Sequence, residues 1–209
     1  VNPASTHFVL GYHGCDRRVA ERVLAGKDVV RSSNNEWDWL GEGAYFWEAN
    51  AQRAYEFAEE LVRRPRSDKQ RIKTPAVVGA VIDLRVSLNL LDSRFISVVR
   101  KGYERLVQLS KEAGMPLPEN TGGRDLLRRH LDCAVMGTVH QIRADNGKEP
   151  FDTVRAAFTE GNSIYPTAGF AAKTHIQICV RQPACIKGYF RPLDSKGTPL
   201  NFAAAEWQE

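Results

Sequence analysis

Apolar and polar positions alternate near both ends of this chain and recur at helical spacing between them. The segment 7–13, HFVLGYH, is aromatic and β-branched, which predicts a strand. Asp16 then stands as the N-cap of a helix running to about Ala25, with Val19, Ala20, Val23 and Leu24 on one side and Gly26 as its stop. The segment 37–47, WDWLGEGAYFW, turns on two glycines around Glu42 and continues as a short aromatic strand. Asn50 predicts the cap of the next helix, whose apolar Ala54, Phe57, Ala58, Leu61 and Val62 keep a 3.6-residue period.

Further along, the pattern predicts a buried strand over 75–84 and helices over 93–113 and 124–140, with a loop, GMPLPENTGG, between them. Strands follow over 151–158, 175–181 and 185–190, with a glycine- and proline-containing loop over 160–173. In the 175–181 strand Ile176, Ile178 and Val180 make an apolar face, and His175, Gln177 and Cys179 a polar or soft one. A single domain spans 1–209: a β-rich body with a mainly helical insertion at about 93–140.

Composition changes this picture little. The chain has 209 residues, 43% of them hydrophobic, enough for a sizeable core. No apolar run approaches the ~20 residues that cross a bilayer, so no membrane partner is expected. No secretory leader pattern is visible, and the four cysteines, Cys15, Cys133, Cys179 and Cys185, show no metal-binding spacing. They read as free thiols in a reducing, cytoplasmic setting. No metal is expected, since His130 and His140 also lack ligand spacing. The net charge of +4 is mild, but six of the eleven residues from Arg63 to Lys73 are basic. That run reads as a solvated loop or as a contact for a phosphate-rich target.

Two segments carry candidate chemistry. Gly11-Tyr12-His13-Gly14-Cys15-Asp16 puts an imidazole at a strand end beside a glycine, where a flat ligand can approach the main chain. Leu40-Gly41-Glu42-Gly43-Ala44-Tyr45-Phe46-Trp47-Glu48 pairs a glycine turn with a tyrosine on a short strand, without the dinucleotide fingerprint of three spaced glycines. Alone, the first reads more often as a turn than as a site, and the second reads also as an aromatic-rich core strand. Together, in this order and followed by the helix with Arg53-Ala54-Tyr55-Glu56-Phe57-Ala58, they resemble the poly(ADP-ribose) polymerase-like, or diphtheria-toxin-like, ADP-ribosyltransferases. The general look is closest to bacterial toxin-like mono-ADP-ribosyltransferases. The resemblance is good over residues 8–60, resumes over 170–190, and offers no counterpart for the helical middle.

The resemblance implies an α+β fold, a split antiparallel β-sheet core with an NAD+ cleft, and NAD+ as substrate. His13 would hold the adenosine-side ribose and the Gly14 main chain the nicotinamide carboxamide. Tyr45 would stack on the nicotinamide ring, with Tyr55 or Phe57 covering its other face. Cys15, Gly43 and Arg53 are counted among the NAD+-contacting positions. Polymerising members of that group place a glutamate on a late strand. Here the strand has none, and Gln177 takes the position; glutamine can hydrogen-bond a ribose hydroxyl but cannot act as a general base. Glu160 or Glu48 could supply a base, and each also reads as structural. Arg155 reads as a structural ion pair or a pyrophosphate contact, His175 as cleft lining or a satisfied core histidine, and Trp37 and Trp39 as core packing or cleft lining.

The implied activity is transfer of one ADP-ribose to a macromolecule, protein, RNA or DNA, by a toxin or effector that a neutralising antitoxin protein could restrain. The alternatives are an NAD+ glycohydrolase and an inactive NAD+- or partner-binding module.

Overall fold

The computed structural model describes residues 8–64 and 72–202. His7 of the first predicted strand and most of the basic run, 65–71, lie outside the described residues. The chain divides into two compact units. One gathers Arg31–Tyr45 and Leu84–Cys185; the other holds the described residues up to Val30, Phe46–Asp83, and those from Ile186 onward. The architecture is mixed α and β, with mostly antiparallel strands and four α-helices among the described residues.

In the second unit, β1 (Phe8–Asp16) pairs antiparallel with β3 (Pro75–Asp83) along its whole length, from Phe8↔Asp83 to Asp16↔Pro75. Strand β9 (Ile186–Phe190) adds to the far edge of β3. Helix α1 (Arg17–Leu24) starts where the sequence predicts, its first turn capped by the Asp16 carboxylate accepting from the Arg18 N–H at 3.0 Å. The same carboxylate accepts from the N–H groups of Lys73 and Thr74, which ties the end of β1 to the start of β3. Helix α2 (Ala51–Arg63) is capped by Asn50, whose side chain accepts from the Arg53 N–H at 2.8 Å. Its small residues Ala54 and Ala58 are fully buried, because β1 presents a glycine there. A Cβ on Gly14 would lie 1.9 Å from the Ala54 carbonyl oxygen.

The first unit holds β4 (Ser87–Asn89), parallel to β7 (Thr153–Phe158), and β8 (His175–Val180), antiparallel to β7 from Thr153↔Val180 to Phe158↔His175. Helices α3 (Ser93–Ala113) and α4 (His130–Asp145) belong to it, and Leu88, Met136, Val139, Phe151, Val154 and Cys179 share one buried cluster with Phe95 and Val99. The helix predicted over 124–140 begins only at His130. Gly122 and Gly123 both take left-handed conformations (φ 100° and 79°), and the turn lets Arg128–Arg129 pair back on Asn120–Thr121 as a two-stranded ribbon, β5 and β6. Asn120 then caps α4 from outside, its side chain accepting from the N–H groups of Leu131 and Asp132.

Strand β2 (Ala44–Glu48) has Ala44 and Tyr45 in the first unit and Phe46–Glu48 in the second. Among the described residues no helix is long and apolar enough to cross a membrane.

Candidate functional site

Of the sequence candidates, His13, Gly14, Cys15, Arg53, Tyr55 and Phe57 lie in the second unit; Gly43, Tyr45 and Gln177 lie in the first. In the second unit, β1 ladders with β2 at Gly11↔Glu48 and Tyr12↔Trp47 and with β3 as far as Asp16↔Pro75. The half-buried His13 ring lies 5.8 Å from Phe46. Gly14 needs to be glycine for a reason the sequence did not reveal: its bare face is filled by the α2 backbone.

Cys15 is buried, and burial first, then the neighbouring Asp16 carboxylate, pushes its thiol up to about 12. It is a packing residue at neutral pH and no thiolate nucleophile. Arg53 is 4% exposed; it pairs with Glu60 at 3.2 Å and lies over the Trp47 ring. Phe57 packs on the same Trp47, with centroids 4.8 Å apart, and Tyr55 stacks on Phe202 at 5.1 Å. Both helix aromatics thus have aromatic neighbours within their own unit, and nothing in their packing singles out one of them as a ring cover.

In the first unit the glycine turn and the late strand are fastened together. The Trp39 indole N–H donates to Gln177 Oε1 at 2.8 Å. The Tyr45 hydroxyl donates to the Gly41 carbonyl at 2.7 Å and accepts from the Leu40 N–H at 3.1 Å. Burial, reinforced by Cys179 and Asp38, raises its pKa, so it stays a neutral anchor for the turn. The Cys179 thiol and Arg181 side chain donate to the carbonyls of the turn at Gly41 and Glu42. Gly41 supplies the left-handed φ of 82° that the turn needs, and a Cβ on Gly43 would lie 2.5 Å from Cys179 Sγ and 2.7 Å from the Val180 carbonyl oxygen. The face of β8 expected to be polar or soft is therefore covered at Cys179 and His175, and Gln177 remains half-buried between them.

The secondary candidates have partners within the first unit. Glu160 is buried and pairs with Lys173 at 3.8 Å. His175 is a buried histidine whose Nδ1 meets the Lys173 carbonyl at 2.6 Å beside the Phe158 ring. Arg155 donates to Asn89 Oδ1 at 3.2 Å. Among the described residues no group of three or more His, Cys, Asp or Glu side chains is arranged to hold a metal ion. Trp39, read from sequence only as packing or cleft lining, is the residue that grips Gln177; no local pattern pairs positions so far apart.

No family model matches the chain, and no solved structure matches it. An uncharacterized protein of Methanocaldococcus jannaschii is 24% identical over 194 residues, covering 84% of this chain and 83% of that protein.

Proposed function

We propose that this protein is an NAD+-dependent mono-ADP-ribosyltransferase that modifies a macromolecule, protein or nucleic acid, and releases nicotinamide. The observation that carries the reading is the placement of His13 and Gly14 at the end of β1, beyond Gly11 and Tyr12, the two positions in register with β2. A flat ligand seated edge-on there would have the His13 imidazole, a hydrogen-bonding group for a ribose hydroxyl, next to it.

The chemistry needs little from ionisable side chains. The C1′–nicotinamide bond breaks with its electron pair leaving on nicotinamide. The acceptor's nucleophile supplies a pair to C1′ and releases its proton to solvent. Between these events C1′ has oxocarbenium character, so orientation and polar contacts to the ribose dominate. Gln177 is suited to such a contact, because its Oε1 is taken by Trp39 and its amide NH2 remains to donate. The missing carboxylate on β8 favours single transfer over chain elongation.

The test is incubation with nicotinamide-labelled NAD+, with and without cell extract, beside His13→Ala and Gln177→Ala. Release that depends on both residues and rises with extract is the expected result. Release indifferent to extract would instead make the protein an NAD+ glycohydrolase. Absence of release from the wild type sinks the enzymatic reading and leaves a binding module.

A further inference from the structure

The helical segment has no counterpart in the resemblance, yet it delivers a residue to the Gln177 cluster. Arg129, at the start of α4, lies with its guanidinium carbon 5.4 Å from the centre of the Trp39 ring and 4.5 Å from that of Phe158. Those two rings are themselves packed 4.9 Å apart. Arg129 is in turn fixed by Asp132 Oδ2 at 3.1 Å and by the Asp125 carbonyl at 3.3 Å, and Asp132 is held by Asn120 Nδ2 at 2.9 Å. The Arg129 N–H also donates to the Trp37 carbonyl at 3.3 Å, tying the helix start to the segment that carries Trp39. Each link restricts the next, from the ribbon at Asn120 to the indole.

The indole nitrogen has one chemical capability: it donates and cannot accept. Its partner on Gln177 must therefore be the carbonyl oxygen, which settles the amide's orientation on chemical grounds. The end left over is NH2, a donor. A free glutamine would offer either end to a ligand by a half-turn of its amide; here a half-turn would set NH2 against the indole N–H, so the amide keeps this orientation.

We propose that Trp39 and Arg129 are positioning residues for Gln177: Trp39 sets its amide so that only NH2 faces a substrate, and Arg129 locks the indole in the plane that makes this bond. The proposal rests on the NAD+ reading above for the identity of the substrate. Trp39→Phe keeps an aromatic ring for Phe158 and Arg129 and removes only the donor. It lowers kcat/KM for nicotinamide release by about tenfold, an orientation effect at the reacting ribose. In a Gln177→Ala background the same change costs nothing further, since residues acting as one unit are not additive. Arg129→Lys keeps the charge but loses the planar fork, and falls between wild type and Trp39→Phe.

A purely structural role moves different quantities, so each variant is also melted, and exchange of the Trp39 indole proton is followed by NMR in wild type and in Gln177→Ala. The expected result is an indole proton protected in the wild type and released in Gln177→Ala, with melting temperatures little changed. Equal turnover by wild type and Trp39→Phe overturns the proposal while leaving the NAD+ reading intact. So does a Trp39→Phe loss that persists undiminished in the Gln177→Ala background, or an indole proton that exchanges freely in the wild type. A wild type that releases no nicotinamide overturns the NAD+ reading and this proposal with it.

Discussion

The seam between β1 and α2 offers a sharp test, because its closest approach is to backbone. In Gly14→Ala the new Cβ would sit 1.9 Å from the Ala54 carbonyl oxygen, 2.9 Å from its carbon and 3.3 Å from Ala58 Cβ. Real Cβ atoms essentially never come within 3.0 Å of such neighbours, so the seam has to open from 1.9 Å to at least that distance. No rotamer relieves a clash with a carbonyl; α2 must move as a body. A radial gap of about 1 Å forfeits a quarter to a half of each dispersion contact it opens. Adding overpacking strain, the cost is about 3 kcal/mol, a large share of a typical folding free energy of about 5–15 kcal/mol. The assay is urea unfolding followed by far-UV circular dichroism, where the midpoint should fall by about 1–2 M. No side-chain truncation on α2 should rescue the variant. A Gly14→Ala protein with an unchanged midpoint but weakened NAD+ binding would refute the reasoning and return Gly14 to a ligand-approach role.

Other outcomes follow from the same geometry. Tyr45→Phe removes a hydroxyl that serves both the Gly41 carbonyl and the Leu40 N–H; the loss should be about 2 kcal/mol by urea titration, and a neutral variant would mean the turn holds without this anchor. His140 is 6% exposed, its ring nitrogens have no hydrogen-bond partner among the described residues, and burial, aided by the charges of Arg181 and Arg143, pushes its pKa down to about 4. The unfolded imidazole takes up a proton near 6.5, before the folded one does, so stability is lost as pH falls from 6.5 toward 4. That loss approaches about 3 kcal/mol at 1.36 kcal/mol per pKa unit; His140→Leu should flatten this part of the pH profile, and an identical slope in both proteins contradicts the assignment. Of the four free cysteines, Cys15, Cys179 and Cys185 are buried and Cys133 partly so, and burial raises the thiols of Cys15 and Cys179 to about 12. A disulfide-exchange reagent at pH 8 should label Cys133 first and the other three only on unfolding, as mass spectrometry of the labelled peptides would show.

Several elements were legible in the sequence because their causes are local. Asp16 and Asn50 cap α1 and α2 as their position before an apolar-periodic run implies, Gly26 follows α1 with a left-handed φ of 69°, and α3 occupies the predicted 93–113. Strands β3, β7, β8 and β9 fall within a residue or two of their predicted bounds. The miss at 124–129 also has a local cause, two consecutive glycines, but its consequence is not local. Whether such a turn ends in solvent or folds Arg128–Arg129 onto Asn120–Thr121 depends on pairing. Composition and periodicity also said nothing of the division into two units, which depends on which segments contact one another.

The candidate site divides in the same way. The residue types were readable: a histidine before a glycine, a tyrosine after a glycine turn, a glutamine where a carboxylate was sought. What each side chain faces was not. Gly14 is bare because the α2 backbone lies against it, Gly43 because Cys179 and Val180 do, and Gln177 is a fixed donor because Trp39 takes its oxygen. Capping and period act over a few bonds and leave their mark in adjacent letters. Close packing and the direction of one amide arise between residues brought together from 40 to 138 positions apart, and only the folded chain decides them.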